Sequence, residues 1–193
     1  MKTRIIFLRH ADTQKDPNLA SKDWMLSDVG IVQAELLSKE PEFSKVFGSV
    51  SKVYVSSEAK TLLTVQPLLS RLGLEAEIIS DFDEVRRGDK FLSKEDFELE
   101  KKKQLLELDY QAFGGESAQD ALKRFLNKLL EVDSLHVGKT ILVVSHGTIL
   151  NLYFAKLLGV SSEDLCERWT RTGFGVYGIV EDGVVVKDIV DIC

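Results

Sequence analysis

Three short apolar runs, at residues 5–8, 52–55 and 141–144, constrain this chain more than any other feature because none shows regular polar alternation. A strand wetted on one side alternates apolar and polar positions, whereas a strand covered on both faces does not. Such runs therefore predict a parallel sheet lying between helices. Stretches of helical periodicity separate them. The clearest begins at Ser117, a suitable N-cap, and places Ala118, Ala121, Leu122, Phe125, Leu126 and Leu129 on one face. Similar stripes occur at Val29, Val32 and Leu36, at Leu62, Val65, Leu69 and Leu72, and at Leu150, Phe154 and Leu157. Strand, helix, strand in this order implies right-handed crossovers. Residues 174–180 and 184–189 flank Asp182-Gly183, a dipeptide suited to a tight hairpin turn, which predicts an antiparallel edge closing the sheet.

A chain of 193 residues with 44% hydrophobic content can bury one sizeable core, and no repeat or linker interrupts it, so residues 1–193 are read as a single domain. A formal charge of -6 argues against nucleic-acid and anionic-membrane partners through long-range repulsion. The apolar run behind the charged N-terminus is stopped by Arg9-His10, too early for a signal-peptide core, and no run reaches membrane-spanning length. Cys166 and Cys193 are too few for a disulfide framework or a cysteine-based zinc site. Reduced thiols and a cytoplasmic location are expected, with Cys166 buried in a helix and Cys193 fraying at the end. Residues 88–109 differ in kind. They carry Lys90, Lys94, Glu95, Asp96, Glu98, Glu100 and the run Lys101-Lys102-Lys103, and are read as an exposed helical insertion whose charges form a solvated face rather than a substrate-gripping patch.

Ligands of a parallel sheet gather where its strands end, so polar residues at the close of an apolar run are the candidates for chemistry. Arg9-His10 closes the first run and Ser145-His146-Gly147 closes the third, while His136 lies in a polar connection and is read as a surface residue. Two strand-end histidines, one beside an arginine, point to an anion site. Arginine supplies a permanent charge in a planar fork, and the turn Gly147-Thr148 opens a helix whose free N–H groups favour negative charge. For a phosphoryl group, the neutral His10 imidazole is a competent nucleophile, with Arg9 and a cationic His146 to stabilise the transferring oxygens. A leaving alkoxide needs a proton, which a carboxyl group of raised pKa can give. Glu84, shortly after the apolar pair Ile78-Ile79, is the candidate, Asp83 its local rival, and pairing to Arg86 or Arg87 the alternative role for both.

Arg9-His10-Ala11-Asp12-Thr13, Leu26-Ser27 with Gly30 and Gln33-Ala34, Ser56-Ser57, Gly114-Gly115-Glu116-Ser117 and Ser145-His146-Gly147 occur in that order. In them the chain resembles the histidine phosphatase superfamily, which includes the cofactor-dependent phosphoglycerate mutases, and specifically its smaller phosphatase branch. The resemblance implies a three-layer α/β/α fold of the phosphoglycerate mutase kind, with a mostly parallel central sheet and residues 85–116 as a substrate-covering insertion. It implies a metal-independent phosphomonoesterase without a cofactor, acting through a phosphohistidine on His10. Arg9 and His146 would be phosphate ligands, Glu84 the proton donor, and Thr13 and the Gly147 amide further contacts.

Two departures stand out. Lys60 is found where the family places an arginine after the paired serines, on the condition that one residue is missing between Ser57 and Lys60 when Thr64 is aligned. A lysine offers a point charge without the fork, and its alternative is a solvated helix lysine. Ala11 replaces a glycine, which is tolerable if its φ is negative. Residues 173–178 spell G-x-G-x-x-G but run into a strand rather than opening a helix, so a dinucleotide site is rejected. The rival readings are a phosphoglycerate mutase-type transferase, a catalytically weak phosphate-binding scaffold, and a metallohydrolase using His10, His146, Asp12 and Glu84. The expected substrate is a small phosphorylated metabolite or a phosphoprotein, and no residue pattern specifies an oligomeric state.

Overall fold

The computed structural model describes residues 2–88 and 92–190. Six strands, β1 (Arg4–Arg9), β2 (Val50–Val55), β3 (Ala76–Ile78), β4 (Thr140–Ser145), β5 (Tyr177–Glu181) and β6 (Val184–Lys187), form one sheet in the order β3-β2-β4-β1-β5-β6. The first four are mutually parallel, and β5 runs antiparallel to both β1 and β6. The hairpin turns at Asp182 (φ 54°) and Gly183 (φ 75°), the pair of left-handed residues that a two-residue connection requires.

Successive residues of a strand point to opposite faces, and the apolar runs supply both faces at once. Ile5, Phe7, Tyr54, Ile141 and Val143 pack with α5 (Ala118–Leu135), α6 (Gly147–Leu158) and α7 (Ser162–Arg171). Ile6, Leu8, Val53, Val55, Leu142 and Val144 pack instead with α1 (Asp28–Lys39), α2 (Pro41–Phe47) and α3 (Ala59–Leu72). The result is the expected three-layer α/β/α arrangement with an antiparallel edge. Ser117 caps α5 by accepting from the Asp120 amide.

Four expectations need correction. Val29, Val32 and Leu36 of α1 face outward, and the helix instead buries Gly30, Ala34, Leu37 and Ser38. The small residues win because α1 must come close to the chain after β1: a Cβ on Gly30 would lie 2.0 Å from the Asp12 carbonyl oxygen. The charged segment is not simply a solvated face. In α4 (Lys94–Leu106), Lys94, Glu95, Asp96 and Glu98 are exposed, but Lys101, Gln104 and Leu105 are buried. Cys166 is only half-buried, on α7. Lys90 and Cys193 lie outside the described residues. His136 ends α5 away from the strand-end histidines and accepts or donates a 2.7 Å bond with the Tyr54 hydroxyl; it is half-buried rather than a free surface side chain. Among the described residues no helix is long and apolar enough to cross a membrane.

Gly30→Ala is expected to force α1 away from the Asp12 backbone and to cost about 1–3 kcal/mol of stability, the range for overpacking a close contact. Urea unfolding of the variant measures it, and an unchanged midpoint would show that the helix moves aside freely.

Candidate active site

Parallel register brings the two strand-end histidines together. β1 and β4 pair with Arg9 opposite Ser145, so the next residue on each strand is a histidine. The His10 amide donates to the Ser145 carbonyl at 3.0 Å, and the two rings lie 5.1 Å apart between centroids. β2 ends alongside: the Ser56 amide donates to the Val144 carbonyl, and the Ser56 hydroxyl bonds the His146 ring Nε2 at 2.7 Å.

The His10 ring is fixed by its Nδ1, 2.7 Å from the Ala11 carbonyl. With the proton on Nδ1 donated to that oxygen, Nε2 carries the lone pair. Ala11 is fully buried, has negative φ as the glycine replacement requires, and donates its amide to the Thr64 hydroxyl at 2.9 Å. The loop beyond is tied down by α1. The Asp12 amide donates to Gln33 Oε1 (2.8 Å), the Ser27 hydroxyl to Asp12 Oδ2 (2.6 Å), and the Ser27 amide to the Asp12 carbonyl (3.1 Å). Thr13, buried on the same loop, bridges to Leu26. The Leu26-Ser27, Gly30 and Gln33 positions thus hold the segment that follows His10.

Arg9 donates to the Thr172 and Gly173 carbonyls, and its guanidinium carbon sits 4.0 Å from the Phe174 ring centroid. The glycine-rich segment at 173–178 therefore wraps an arginine. The Arg9 Nε is buried without a partner among the described residues. On the other side Gly147 leaves just enough room, since a Cβ there would meet the guanidinium at 2.9 Å.

Lys60 is not a solvated lysine. Only 4% exposed, it donates to the Ser21 carbonyl and to Glu58 Oε2, both at 2.6 Å, and its charge presses on both histidines. Glu58, overlooked in the sequence, also approaches His146 Nε2 at 3.5 Å and accepts from the Glu84 amide at 3.2 Å.

Glu84 follows β3 by a short turn. The Ser145 hydroxyl donates to the Phe82 carbonyl at 2.6 Å, and Arg124 of α5 donates to the Asp81, Asp83 and Glu84 carbonyls while pairing with Glu116. The Gly114-Gly115-Glu116-Ser117 motif thereby anchors the Glu84 loop: the Glu116 amide also donates to the Arg86 carbonyl. Asp83 accepts from the amide and hydroxyl of Ser57. The Glu84 carboxylate accepts from the amides of Thr148 (2.9 Å) and Ile149 (3.0 Å), so these two amides in the first turn of α6 are taken by Glu84 rather than by an external anion.

This overturns two protonation expectations. Burial alone would raise the Glu84 carboxyl, but Lys101, His146, Arg87 and the Thr148 amide outweigh it and hold the group far below the usual carboxylate range. His146 is pushed down to about 3, first by burial and then by Lys60, Arg9 and Arg87 against the opposing pull of Glu84, so the ring is neutral rather than cationic. His10 is likewise held well below its ordinary value by burial, His146, Arg9 and Lys60, which suits a nucleophile. Lys101 lies beside Glu84 from the insertion side; burial and then Arg87 lower it to about 7. The sequence does carry a sign of this role, because Phe97, Lys101, Gln104, Leu105 and Leu108 recur at one-face helical spacing with a lysine and a glutamine among apolar residues.

Asp12, needed by the metal reading, points its carboxylate to Ser27. Among the described residues no group of three or more His, Cys, Asp or Glu side chains is gathered as metal ligands.

A family model described as "Histidine phosphatase superfamily (branch 1)" matches residues 5–191. No curated protein matches the sequence significantly. Among solved structures, a mycobacterial glucosyl-3-phosphoglycerate phosphatase superposes with a TM-score of 0.76 at 19% identity, covering 94% of this chain and 91% of that one. A phosphoserine phosphatase of Entamoeba histolytica, solved with 3-phosphoglyceric acid, gives 0.72 at 22% over 92% and 89%. A putative alpha-ribazole-5'-P phosphatase of Escherichia coli gives 0.72 at 22% over 98% and 97%. At these identities the likeness shows the fold.

A histidine neutral in the native state but protonated near pH 6.5 when unfolded makes the unfolded chain bind more protons below that pH. Stability is then fullest above 6.5 and falls as pH drops toward 3, by up to about 1.4 kcal/mol per pH unit for each such ring. His146→Gln is expected to flatten the decline in unfolding free energy between pH 6 and 4. Parallel pH profiles for variant and wild type would show that the ring charges normally in the fold.

Proposed function

The chain belongs to the histidine phosphatase superfamily, branch 1, and from that premise we propose that it is a phosphomonoesterase acting through a phosphohistidine on His10. The observation that carries this reading is the pair of buried imidazoles 5.1 Å apart at adjoining strand ends, with the Arg9 guanidinium beside them and its Nε unpartnered. A phosphoryl group entering there supplies the acceptors that Arg9 lacks. His10 Nε2 attacks phosphorus as the ester oxygen leaves, Arg9 and Lys60 balance charge on the equatorial oxygens, and His146 becomes a stronger donor once a phosphate dianion raises its proton affinity. Thr13 and the Gly147 amide are the remaining candidates for phosphate contacts.

The same dianion acts on Glu84. Like charge favours its protonated form, so the carboxyl that is ionised in the ligand-free site takes up a proton as substrate arrives and passes it to the leaving alkoxide. The resulting carboxylate then accepts a proton from water, whose oxygen attacks the phosphohistidine and releases inorganic phosphate and free His10. The reading needs no metal or cofactor. It takes small phosphorylated metabolites as substrates in a cytoplasmic setting, with residues 85–116 covering the site. Neighbours in fold are named for phosphoserine and for a phosphoglycerate ester, which favours metabolites over phosphoproteins.

Phosphate release from an aryl phosphate in chelator is expected to persist in the wild type and to fall by at least about 10³-fold in His10→Ala, the scale of losing a nucleophile. Activity that appears only with added metal would instead support the metallohydrolase, and bisphosphoglycerate-dependent isomerisation would support the mutase.

Glu84→Gln is expected to slow alkyl phosphates by about 10²-fold or more and aryl phosphates far less, because a phenolate leaves without much help. Equal losses for the two classes would remove Glu84 as the acid.

A further inference from the structure

Lys60 already has an anion of its own. Its Nζ donates to the Ser21 carbonyl and to Glu58 Oε2, both at 2.6 Å, so two of its three N–H groups are taken. Glu58 reaches further: Oε1 accepts from the Glu84 amide at 3.2 Å and lies 3.5 Å from His146 Nε2, and its charge also acts on Arg87. With its side chain 10% exposed, Glu58 stands against Lys60 and His146, two of the groups assigned to the phosphoryl oxygens. A carboxylate beside a helix start ordinarily turns toward the free N–H groups there. Glu58 is the N-cap residue of α3, yet its side chain caps no amide of that helix. Its backbone is pinned, because the Glu58 amide donates to Ser56 Oγ (3.2 Å) and its carbonyl accepts from the amide (3.0 Å) and hydroxyl (2.9 Å) of Thr61. The main chain is thus fixed, and only the side-chain torsions can move the carboxylate.

A buried ammonium without a counter-charge is strongly unfavourable, so Glu58 stabilises Lys60 between turnovers. The same contact opposes a ligand. A phosphate dianion seated between the two imidazoles comes up against a negative charge, and like charges in a water-poor site repel strongly. One of the two anions has to give up Lys60. The arginine that the family places here would offer a planar fork with donors for two anions at once, whereas an ammonium is a compact charge that pairs best with one. The lysine of this chain makes the two anions competitors.

We propose that Glu58 is a resident counter-anion that competes with phosphate for Lys60, so that the enzyme holds its inorganic phosphate product weakly and resists inhibition by it. This rests on the reading of the site as one that seats a phosphoryl group between His10 and His146. As substrate arrives, the Glu58 carboxylate swings off Lys60 and the ammonium turns to a phosphoryl oxygen. Once inorganic phosphate has formed, Glu58 reclaims the ammonium and favours its release. No covalent bond is made or broken in this exchange of ion pairs.

Calorimetric titration with inorganic phosphate reads the competition without turnover. Glu58→Gln is expected to bind phosphate about 10- to 100-fold more tightly than the wild type, the effect of freeing one charged hydrogen-bonded contact. Its inhibition constant for phosphate in aryl phosphate hydrolysis should fall by the same factor. Most of the gain should vanish when Glu58→Gln is added to Lys60→Gln. Unchanged or weaker phosphate binding by Glu58→Gln, including no measurable binding by either protein, overturns the proposal. So does an equal gain in the Lys60→Gln background, which would reduce Glu58 to a general repulsive charge. A crystal structure of the wild type with inorganic phosphate needs no variant: phosphate on Lys60 Nζ with the Glu58 carboxylate turned away supports the exchange, and phosphate bound with the Glu58 contact intact overturns it. Should the wild type turn over no aryl phosphate while the titrations behave as expected, the hydrolase assignment fails and the competition for Lys60 stands.

Discussion

The site depends on the register between β1 and β4. Because Arg9 lies opposite Ser145 in a parallel ladder, two residues far apart in sequence emerge from the sheet side by side, and no loop has to search for the arrangement. A slip of one residue would send one histidine to the wrong face, and it would also reverse the inward set of Ile5 and Phe7 against Ile6 and Leu8. Both faces of these strands are buried, so such a slip would expose nothing useful and break the packing on each side. The core thus enforces the geometry of the site.

Around that pair the protein keeps an unusual number of charges away from water. Lys60 is matched to Glu58, Arg124 to Glu116, and Lys101 and Arg87 face Glu84. Removing one partner of such a buried pair typically costs about 3–5 kcal/mol, because the other is left uncompensated. Burial first, and the surrounding cations after it, hold both imidazoles below their ordinary protonation range, which suits the nucleophile proposed at His10 and the dianion proposed to meet it. Ground-state burial and readiness for an anion are one property of this cluster.

The sheet was legible in the sequence because burial on both faces leaves an unbroken apolar run, and Asp182-Gly183 announced the hairpin through its left-handed preference. Arg9, His10, His146 and Glu84 were legible because strand ends are where such residues have no packing role. Other parts depended on tertiary distance. The outward stripe of α1 could not be distinguished from the inward one, since what decides is the approach of Gly30 to Asp12. The sequence around Glu84 carries no sign of the Thr148 and Ile149 amides or of Lys101, which the fold brings to its carboxylate and which hold it ionised. Lys101 stood in a run of three lysines, and only the packing of α4 distinguishes it from Lys102 and Lys103, which stay exposed.

Arg9 owes its orientation to carbonyls that come 163 and 164 residues later in the chain. During synthesis, β1 leaves the ribosome long before the segment that will hold its guanidinium, and β4 can pair with it earlier than β5. Contacts of such long sequence separation are slow to close, so the brace on Arg9 belongs to the late-forming part of the fold. A chain cut short before Thr172 would keep both histidines yet lack the carbonyls that brace the Arg9 guanidinium.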